Sequence, residues 1–273
     1  MSAACGIVTL ADANYFPGLQ TLYLSVQQSW PVPVTCFDIG LSAAQKELAA
    51  RRYPALTILP LPASEDIEAV RRAFSDAGPL AKPGKRVWPI WICPLLIAAS
   101  PYRRVFWIDC DVVVLRNLRG LFELLESGPV FTPENFAPDQ TPNKPELYEL
   151  LPIAHPFDRS SPVVNAGVSG WDLERDREAL EAYIVPVRHA SRDPRVASAI
   201  SWWDQGCLIW AIQKTRLEHR VVPTPEWNRC ARNTRAFGKR YHPWGEAVLD
   251  ELRRDVPEAN LLHWNGLAAP WLT

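Results

Sequence analysis

Two acidic residues in an otherwise apolar segment give the first indication of chemistry in this sequence. The segment FWIDCDVVVLRNL occupies 106–118, and its acids are Asp109 and Asp111. In an extended strand, residues i and i+2 point to the same face, so the two carboxylates are expected to converge while Cys110 faces away into the core. Two ionised carboxylates at short distance repel each other unless a cation lies between them. Oxygen ligands of this kind favour a hard divalent ion, Mg²⁺ or Mn²⁺.

The same acids also have a purely structural interpretation. They could end a strand and cap a loop, or pair with the nearby arginines Arg103, Arg104 and Arg116. An isolated Asp-x-Asp is short, and by itself it favours this structural interpretation. The hypothesis of a metal site therefore depends on what the rest of the chain supplies.

The composition is that of an ordinary globular chain. Its 273 residues are 48% hydrophobic and 22% charged, a length and balance that predict a single large α/β domain. A formal net charge of −1 gives no overall attraction to nucleic acid or anionic lipid. Six cysteines occur without a CxxC pair, which predicts free core thiols in a reducing compartment. We find neither a leader-like segment nor an apolar run of transmembrane length, and we expect a cytoplasmic protein.

Periodicity predicts strands that alternate with helices. Strands are predicted at 6–10, 32–40, 56–62, 104–115, 163–172 and 259–266, and helices at 16–30, 67–74, 88–99, from about 175, and at 204–214. A further helix follows Ser42, which forms a potential capping box with Gln45. This alternation predicts a mostly parallel sheet covered by helices on both faces, with ligands at the carboxyl ends of its strands.

Five short segments give the sequence a family resemblance. They are IVTLADANY at 7–15, VFWIDCDVVVL at 105–115, VNAGV at 164–168, DQ at 204–205 and HWNGLAAPW at 263–271. In this order they resemble the motifs of family eight of the nucleotide-sugar glycosyltransferases, which includes bacterial lipopolysaccharide galactosyltransferases and glycogenin. The resemblance runs over nearly the whole chain and implies a Rossmann-like GT-A fold. It further implies a nucleotide-sugar-binding half at about 1–118 and an acceptor half at about 119–273.

The resemblance implies a complete metal site. Asp109 and Asp111 correspond to the family's metal-binding acids, and His263, which opens the closing motif, corresponds to its third ligand. A neutral imidazole beside two carboxylates suits manganese, with magnesium as the alternative. The structural alternative is that His263 lies at a strand end with its hydrogen bonds made to neighbouring protein groups.

The first motif is expected to bind the nucleotide. By resemblance, Tyr15 stacks on a uracil, Asp12 and Asn14 hydrogen-bond to the base and ribose, and the backbone near Thr9 and Ala11 covers an edge of the base. Stacking on an aromatic ring and polar contacts from short side chains suit that task. Without the resemblance, Tyr15 would be an ordinary aromatic residue at a helix start.

The remaining four motifs are expected to contact the donor. By resemblance, Asn165 reaches sugar hydroxyls, Ala166 and Gly167 leave room for the donor ring, and Asp204 and Gln205 lie against the sugar as the catalytic pair. The same motifs add Cys110 and Gly266 to the donor-binding residues. Two alternatives stay open: a glycine in a strand marks bulges as well, and an acid at 204 is a good helix cap.

The resemblance implies a retaining hexosyltransferase that uses UDP-glucose or UDP-galactose. Retention arises by front-face substitution or by double displacement through an enzyme nucleophile. Gln205 is a poor nucleophile, so we favour front-face substitution in which the leaving phosphate takes the acceptor's proton. The sequence leaves open the donor sugar and base, the oligomeric state and the acceptor, which could be a saccharide, a small molecule or a protein.

Two other classes of protein compete with this interpretation. A sugar nucleotidyltransferase should open with a glycine-rich loop, which LADANY is not. A non-catalytic nucleotide-sugar binder is favoured by Ala269, which replaces the lysine of the family's closing motif. Basic segments at 82–86 and at 229–240 are candidates to replace that lysine as phosphate-binding cations.

Overall fold

The N-terminal part of the computed structural model alternates strands and helices as the periodicity predicts. The model describes residues 4–81, 86–134, 143–158, 163–223, 226–236 and 246–264. Its first elements are β1 (Cys5–Ala11), α1 (Phe16–Ser29), β2 (Val34–Asp38), α2 (Ala43–Arg52), β3 (Leu56–Pro60) and α3 (Glu65–Phe74). The capping box that begins α2 is confirmed, because the Ser42 side chain accepts from the Gln45 amide and the Gln45 side chain accepts from the Ser42 amide.

The remaining elements combine short helices with a long buried strand. They are α4 (Trp88–Trp91), α5 (Cys93–Ala98), β4 (Arg104–Ile108), β5 (Val112–Val114), α6 (Leu118–Leu124), β6 (Val130–Pro133), α7 (Pro145–Leu150), β7 (Val164–Asp172), α8 (Arg177–Ala190), α9 (Pro194–Ala199), α10 (Asp204–Thr215), β8 (Arg220–Val221), β9 (Arg229–Cys230), α11 (Glu246–Asp255) and β10 (Leu261–His263). None of the helices within the described ranges has the length and apolar character needed to cross a membrane. All six cysteines are unpaired, as predicted.

Two sheets position the site. The main sheet has seven strands in the order β3-β2-β1-β4-β7-β6-β8. Strands β3, β2, β1 and β4 run parallel, β7 is antiparallel to both β4 and β6, and β8 is parallel to β6. A second sheet has the order β5-β10-β9. The predicted α/β class with a mostly parallel sheet is therefore confirmed. Strands β2 and β3 lie on one side of β1, and β4 lies on the other side. Folds of this kind form a ligand crevice at the strand where the strand order changes direction in this way.

The predicted continuous strand at 104–115 is wrong. Strand β4 ends at Ile108, the chain turns through the Asp109 and Asp111 positions, and β5 begins at Val112 in the other sheet. The amide of Val112 donates to the carbonyl of Asp109 at 3.0 Å, which closes the turn. The two acids therefore converge through a tight turn between sheets, and not through the alternation of an extended strand. The physical reason is that β4 pairs with β1 and β7, whereas β5 pairs with β10.

The predicted single helix at 88–99 is also wrong, because the structure has two short helices in this range. Helix α4 ends at Trp91 and α5 begins at Cys93, with Pro94 at the second position of α5. Proline has no amide hydrogen to donate to the preceding turn, so a helix cannot run through this position without losing a hydrogen bond. The break places Cys93 in the core, where it is almost fully buried.

The main sheet is packed on both faces. Val105 and Trp107 of β4 belong to one buried cluster, and the alternating residues Phe106 and Ile108 belong to another. Helices α8 and α10 pack against each other, and α10 also packs on β7. Burial on both faces explains why β4 is apolar at every position after its first residue.

Candidate active site

The three predicted metal ligands lie together. Asp109 and Asp111 occupy the turn between β4 and β5, and His263 is the last residue of β10. Strand β10 is antiparallel to β5 with His263 opposite Val112, so the imidazole is brought next to the acidic turn. His263 Nε2 lies 3.2 Å from Asp111 Oδ1 and 3.9 Å from Asp109 Oδ2. One ligand atom from each residue lies within 4.8 Å of the others, a spacing that suits a shared cation.

The electrostatics of this cluster favour a cation. Burial and the charge of Asp111 raise the pKa of Asp109 to about 6. Burial alone would lower the pKa of His263, but the charges of Asp111, Asp109 and Glu134 and the hydrogen bond with Asp111 together outweigh it, so the pKa of the imidazole is raised. The indole Nε1 of Trp107 donates to Asp109 Oδ1 at 2.8 Å and supports the ionised carboxylate. The residues present therefore fit a divalent ion, which would relieve the repulsion between the two acids.

A contact that the sequence did not reveal orients the imidazole. Asn228 precedes β9 and is almost fully buried, and its Oδ1 lies 2.7 Å from Nδ1 of His263. No motif marks this asparagine, since its position depends on the pairing of β9 with β10. The ring atom on the opposite side, Nε2, is the one that faces the acids.

Gly167 packs directly against two of the predicted metal ligands. Its carbonyl accepts from the amide of Asp109 at 2.9 Å. A Cβ atom at this position would lie 2.5 Å from Asp109 Oδ2 and 2.7 Å from Cε1 of His263. The structure thus supplies a reason for glycine besides the predicted room for a donor ring. The alternative of a bulge is also supported, because the β6–β7 register shifts between Phe131 and Thr132, opposite this part of β7.

Asn165 and Gln205 are hydrogen-bonded to each other, as expected for residues of one site. Asn165 Nδ2 donates to Gln205 Oε1 at 3.1 Å and to Glu134 Oε2 at 2.8 Å, and its Oδ1 accepts from the amide of Gly167 at 2.9 Å. Glu134 was missed by the sequence analysis. The available signal was its position directly after β6, since ligands collect at strand ends. Ala166, between Asn165 and Gly167, is buried.

Asp204 is the first residue of α10 and is buried, with 7% of its surface exposed. Burial and then the charge of Asp109 raise the pKa of its carboxyl well above the usual range, although the amide of Gln205 and the Cys93 thiol act in the opposite direction. The N-cap of the helix is Trp203, so Asp204 is not the capping residue that the structural alternative proposed.

The residues before Asp204 have an unusual backbone. Trp202 and Trp203 both have φ of 53°, a region that costs free energy for large side chains. Asn143 stabilises this segment, because its Oδ1 accepts from the amide of Ser201 and its Nδ2 donates to the carbonyl of Gly206. Strain of this kind persists only where the surrounding structure fixes it, and it is common next to active sites.

The predicted nucleotide loop lies close to the acidic turn. Asp12 Oδ1 accepts from the amides of Asn14 and Tyr15 at 2.9 and 3.1 Å, and its Oδ2 accepts from Arg86 Nη1 at 3.0 Å. Tyr15 is 38% exposed. Its pKa is raised to about 12 by burial and then by the charges of Asp111 and Asp109, so its hydroxyl lies within electrostatic range of the two acids.

The side chains of Thr9, Ala11 and Cys110 are buried and face the interior. Thr9 Oγ1 lies 3.2 Å from Cys110 Sγ, and that thiol donates to the carbonyl of Leu10 at 2.8 Å. The prediction that Cys110 faces the core is confirmed. A donor contact from these three residues could come only from backbone groups, and such contacts stay a prediction.

Several predicted residues lie outside the described ranges. They are Gly266 and Ala269 of the closing motif, Lys82 and Lys85 of the first basic segment, and Lys239 and Arg240 of the second. Within the described part of the second segment, Arg229 pairs with Glu258 at 3.7 Å, whereas Arg232 and Arg235 are exposed.

The sheet order and the position of the acidic turn between the two sheets are those of a GT-A fold, and comparison with solved structures shows this fold. The chain is similar to galactosyltransferase LgtC in complex with donor and acceptor sugar analogs, with 19% identity, a TM-score of 0.63, and coverage of 97% of this chain and 88% of that one. It is also similar to mouse xyloside xylosyltransferase 1, with 14% identity, a TM-score of 0.56, and coverage of 95% and 97%.

A third similar structure is core-mannan synthase A from Aspergillus fumigatus in its Mn/GDP form, with 12% identity, a TM-score of 0.52, and coverage of 78% and 70%. The predicted GT-A fold is thus confirmed, and the similarity to LgtC agrees with the resemblance to family eight. No protein-family model matches the chain. No curated protein matches it either.

Gly167→Ala is expected to weaken Mn²⁺ binding at least about tenfold, because the added methyl group must displace Asp109 or His263 from its place in the cluster. Electron paramagnetic resonance of free Mn²⁺ during titration measures this affinity without turnover. The matched control is Gly128→Ala, whose Cβ would meet only the carbonyl of Glu218 at 3.6 Å. Equal affinities in the two variants would contradict the packing argument.

Asp109→Asn is expected to stabilise the metal-free protein in a pH-dependent way. The folded state binds a proton at Asp109 more tightly than the unfolded state, since its pKa is raised from 3.8 to about 6. The contribution of Asp109 to wild-type stability therefore falls as pH rises from about 4 to about 6, and the uncharged variant lacks this loss. Urea unfolding with EDTA should show the variant's gain above about pH 6 and little difference near pH 4. A gain that is the same at all pH values would contradict the assigned charge repulsion.

Proposed function

We propose that the chain is a metal-dependent, retaining hexosyltransferase that uses a nucleotide-sugar donor, with UDP-glucose and UDP-galactose as first candidates. The observation that supports this most directly is the cluster of Asp109, Asp111 and His263 at the carboxyl end of β4, next to the exposed ring of Tyr15. A cation site beside an aromatic ring matches the two parts of a nucleoside diphosphate, a charged pyrophosphate and a flat base. The GT-A fold supports the same class of reaction.

In this proposal Asp109, Asp111 and Nε2 of His263 hold Mn²⁺ or Mg²⁺. When bound, the ion would neutralise the negative charge that develops on the departing nucleoside diphosphate. The mixed oxygen and imidazole ligands favour manganese. The core-mannan synthase structure in its Mn/GDP form is an example of a similar fold with this ion.

The nucleotide would lie on the loop after β1. The exposed ring of Tyr15 offers a stacking surface for the base, and Asp12 and Asn14 offer polar contacts to the base and ribose. Arg86 fixes the orientation of Asp12 through Nη1, and its Nη2 donates to the carbonyl of Ile39 at 2.9 Å. The Asp12 carboxylate is therefore preorganised before a ligand binds.

The donor sugar would be held by the hydrogen-bonded group of Asn165, Gln205 and Glu134, with Asp204 beside it. The raised pKa of Asp204 favours the protonated carboxyl, which is not a nucleophile. This supports front-face substitution: the bond from the anomeric carbon to the phosphate oxygen breaks, and the acceptor hydroxyl oxygen forms the new bond on the same face. The acceptor's proton passes to an oxygen of the leaving phosphate.

The division into a nucleotide half at about 1–118 and an acceptor half at about 119–273 is part of the proposal. The two carboxylate ligands come from the first half, and His263, Asn165 and Gln205 come from the second. We propose a saccharide as acceptor, because the LgtC complex contains donor and acceptor sugar analogs. Six unpaired cysteines support a reducing compartment such as the cytoplasm.

Asp111→Asn is expected to abolish Mn²⁺-dependent hydrolysis or transfer from a nucleotide-sugar, because it removes one charged ligand of the cluster. Mass spectrometry of the released nucleoside diphosphate measures the reaction. The control variant Asp76→Asn changes an exposed aspartate outside the site and should retain wild-type rates. Thermal unfolding with UDP, GDP, ADP or dTDP, each with and without Mn²⁺, should show one nucleotide that raises the midpoint only with the metal.

A wild-type chain that binds a nucleotide with Mn²⁺ but neither hydrolyses nor transfers any sugar would instead indicate a non-catalytic binder. Release of pyrophosphate from a nucleoside triphosphate and a sugar phosphate would indicate a nucleotidyltransferase. Either result would contradict the proposal.

A further inference from the structure

The imidazole of His263 has a buried polar partner on the side away from the acids. Asn228 Oδ1 lies 2.7 Å from His263 Nδ1, and both residues are almost completely buried. An amide oxygen can only accept a hydrogen bond, so Nδ1 must carry the proton. In the neutral ring, the lone pair is then on Nε2, the atom that lies 3.2 Å from Asp111 Oδ1.

The orientation of Asn228 is itself fixed by its surroundings. Its Nδ2 contacts the carbonyl of Pro133, at the end of β6, at 3.4 Å. An exchange of the amide oxygen and nitrogen would place the NH₂ group against Nδ1 of the ring and the oxygen against a carbonyl, which has no hydrogen to donate. The packing therefore supports one orientation of the amide and one tautomer of the imidazole.

The backbone at this position restricts which residues can do this. Asn228 has φ of 54°, in the left-handed region that glycine, asparagine and aspartate tolerate best. The next residue begins β9, which pairs with β10 so that Arg229 lies opposite Leu262 and Cys230 opposite His263. The left-handed residue comes directly before this strand, and its amide oxygen lies beside Nδ1 of the ring.

We propose that Asn228 is a positioning residue for the metal site. It holds His263 in the tautomer whose unprotonated Nε2 can bind the ion. The inference rests on the proposed metal dependence and extends it to a residue outside the three proposed ligands. Partners of this kind on a metal-binding histidine typically affect metal affinity by about 10–100-fold when they are removed.

The left-handed backbone permits a matched pair of variants. Asn228→Gly keeps the backbone but removes the acceptor, and Asn228→Asp keeps both. We expect Asn228→Gly to weaken Mn²⁺ binding by about 10–100-fold and Asn228→Asp to retain it to within a few-fold, as measured by electron paramagnetic resonance without donor or turnover. Asn117→Gly is the control, because Asn117 also has a left-handed backbone (φ 37°) but its side chain caps α6 through the amide of Gly120. This control should bind Mn²⁺ like the wild type.

The outcomes separate this inference from the proposed function. Wild-type protein that does not bind Mn²⁺, or binds it equally well after His263→Ala, would overturn both. Loss of binding in His263→Ala with normal binding in Asn228→Gly would overturn the inference alone, as would equal losses in Asn228→Gly and Asn228→Asp.

A second measurement does not require any variant to fold. Long-range ¹H–¹⁵N spectra of the histidine rings report which nitrogen carries a proton. In the metal-free wild type at alkaline pH, where the ring is neutral, a proton on Nδ1 and none on Nε2 supports the assignment. A neutral ring with its proton on Nε2 overturns it.

Discussion

The repulsion between two carboxylates in one tight turn is the constraint on which the rest of the site depends. The turn is forced because β4 belongs to the main sheet and β5 belongs to the second sheet. Its charge is balanced only in part by an imidazole from the last described strand, His263 of β10. Such an arrangement is costly without a cation and favourable with one, so the geometry of the second sheet supports the divalent-ion site that we propose.

Several features around the turn follow from this constraint. Gly167 gives the ligands the space that any other side chain would occupy, and the indole of Trp107 supports the charge of Asp109. Asn165 connects the strand that carries Gly167 to Gln205 at the start of α10. The proposed metal ligands and the proposed sugar-binding residues therefore form one connected structure, in which a displacement at β7 would affect both.

The sequence predicted the elements that have a clear local pattern. The β-branched run of β1, the capping box of α2 and the alternation through α3 depend only on neighbouring residues, and they were predicted close to their observed bounds. The strand at 104–115 was wrong because an apolar pattern continues across the turn, and periodicity does not record that the chain changes sheet. Pro94 was an available signal for the break between α4 and α5.

The candidate site was predictable only in part. The two acids are separated by a single residue in the sequence, but the approach of His263 depends on the antiparallel pairing of β10 with β5, and its prediction came from the family resemblance alone. Glu134 and Asn228 were not predicted, since their roles come from the ends of β6 and β9 and from one left-handed backbone position. Long-range strand pairing of this kind leaves no local pattern in the sequence.

The most direct test of the central claim is a crystal structure of the protein with UDP and Mn²⁺, with anomalous diffraction at the manganese edge to locate the ion. We predict one manganese peak bound by Asp109, Asp111 and Nε2 of His263 and also by oxygens of the diphosphate. A diphosphate bound at this turn by arginine or lysine side chains, with no manganese between the acids, would contradict the account.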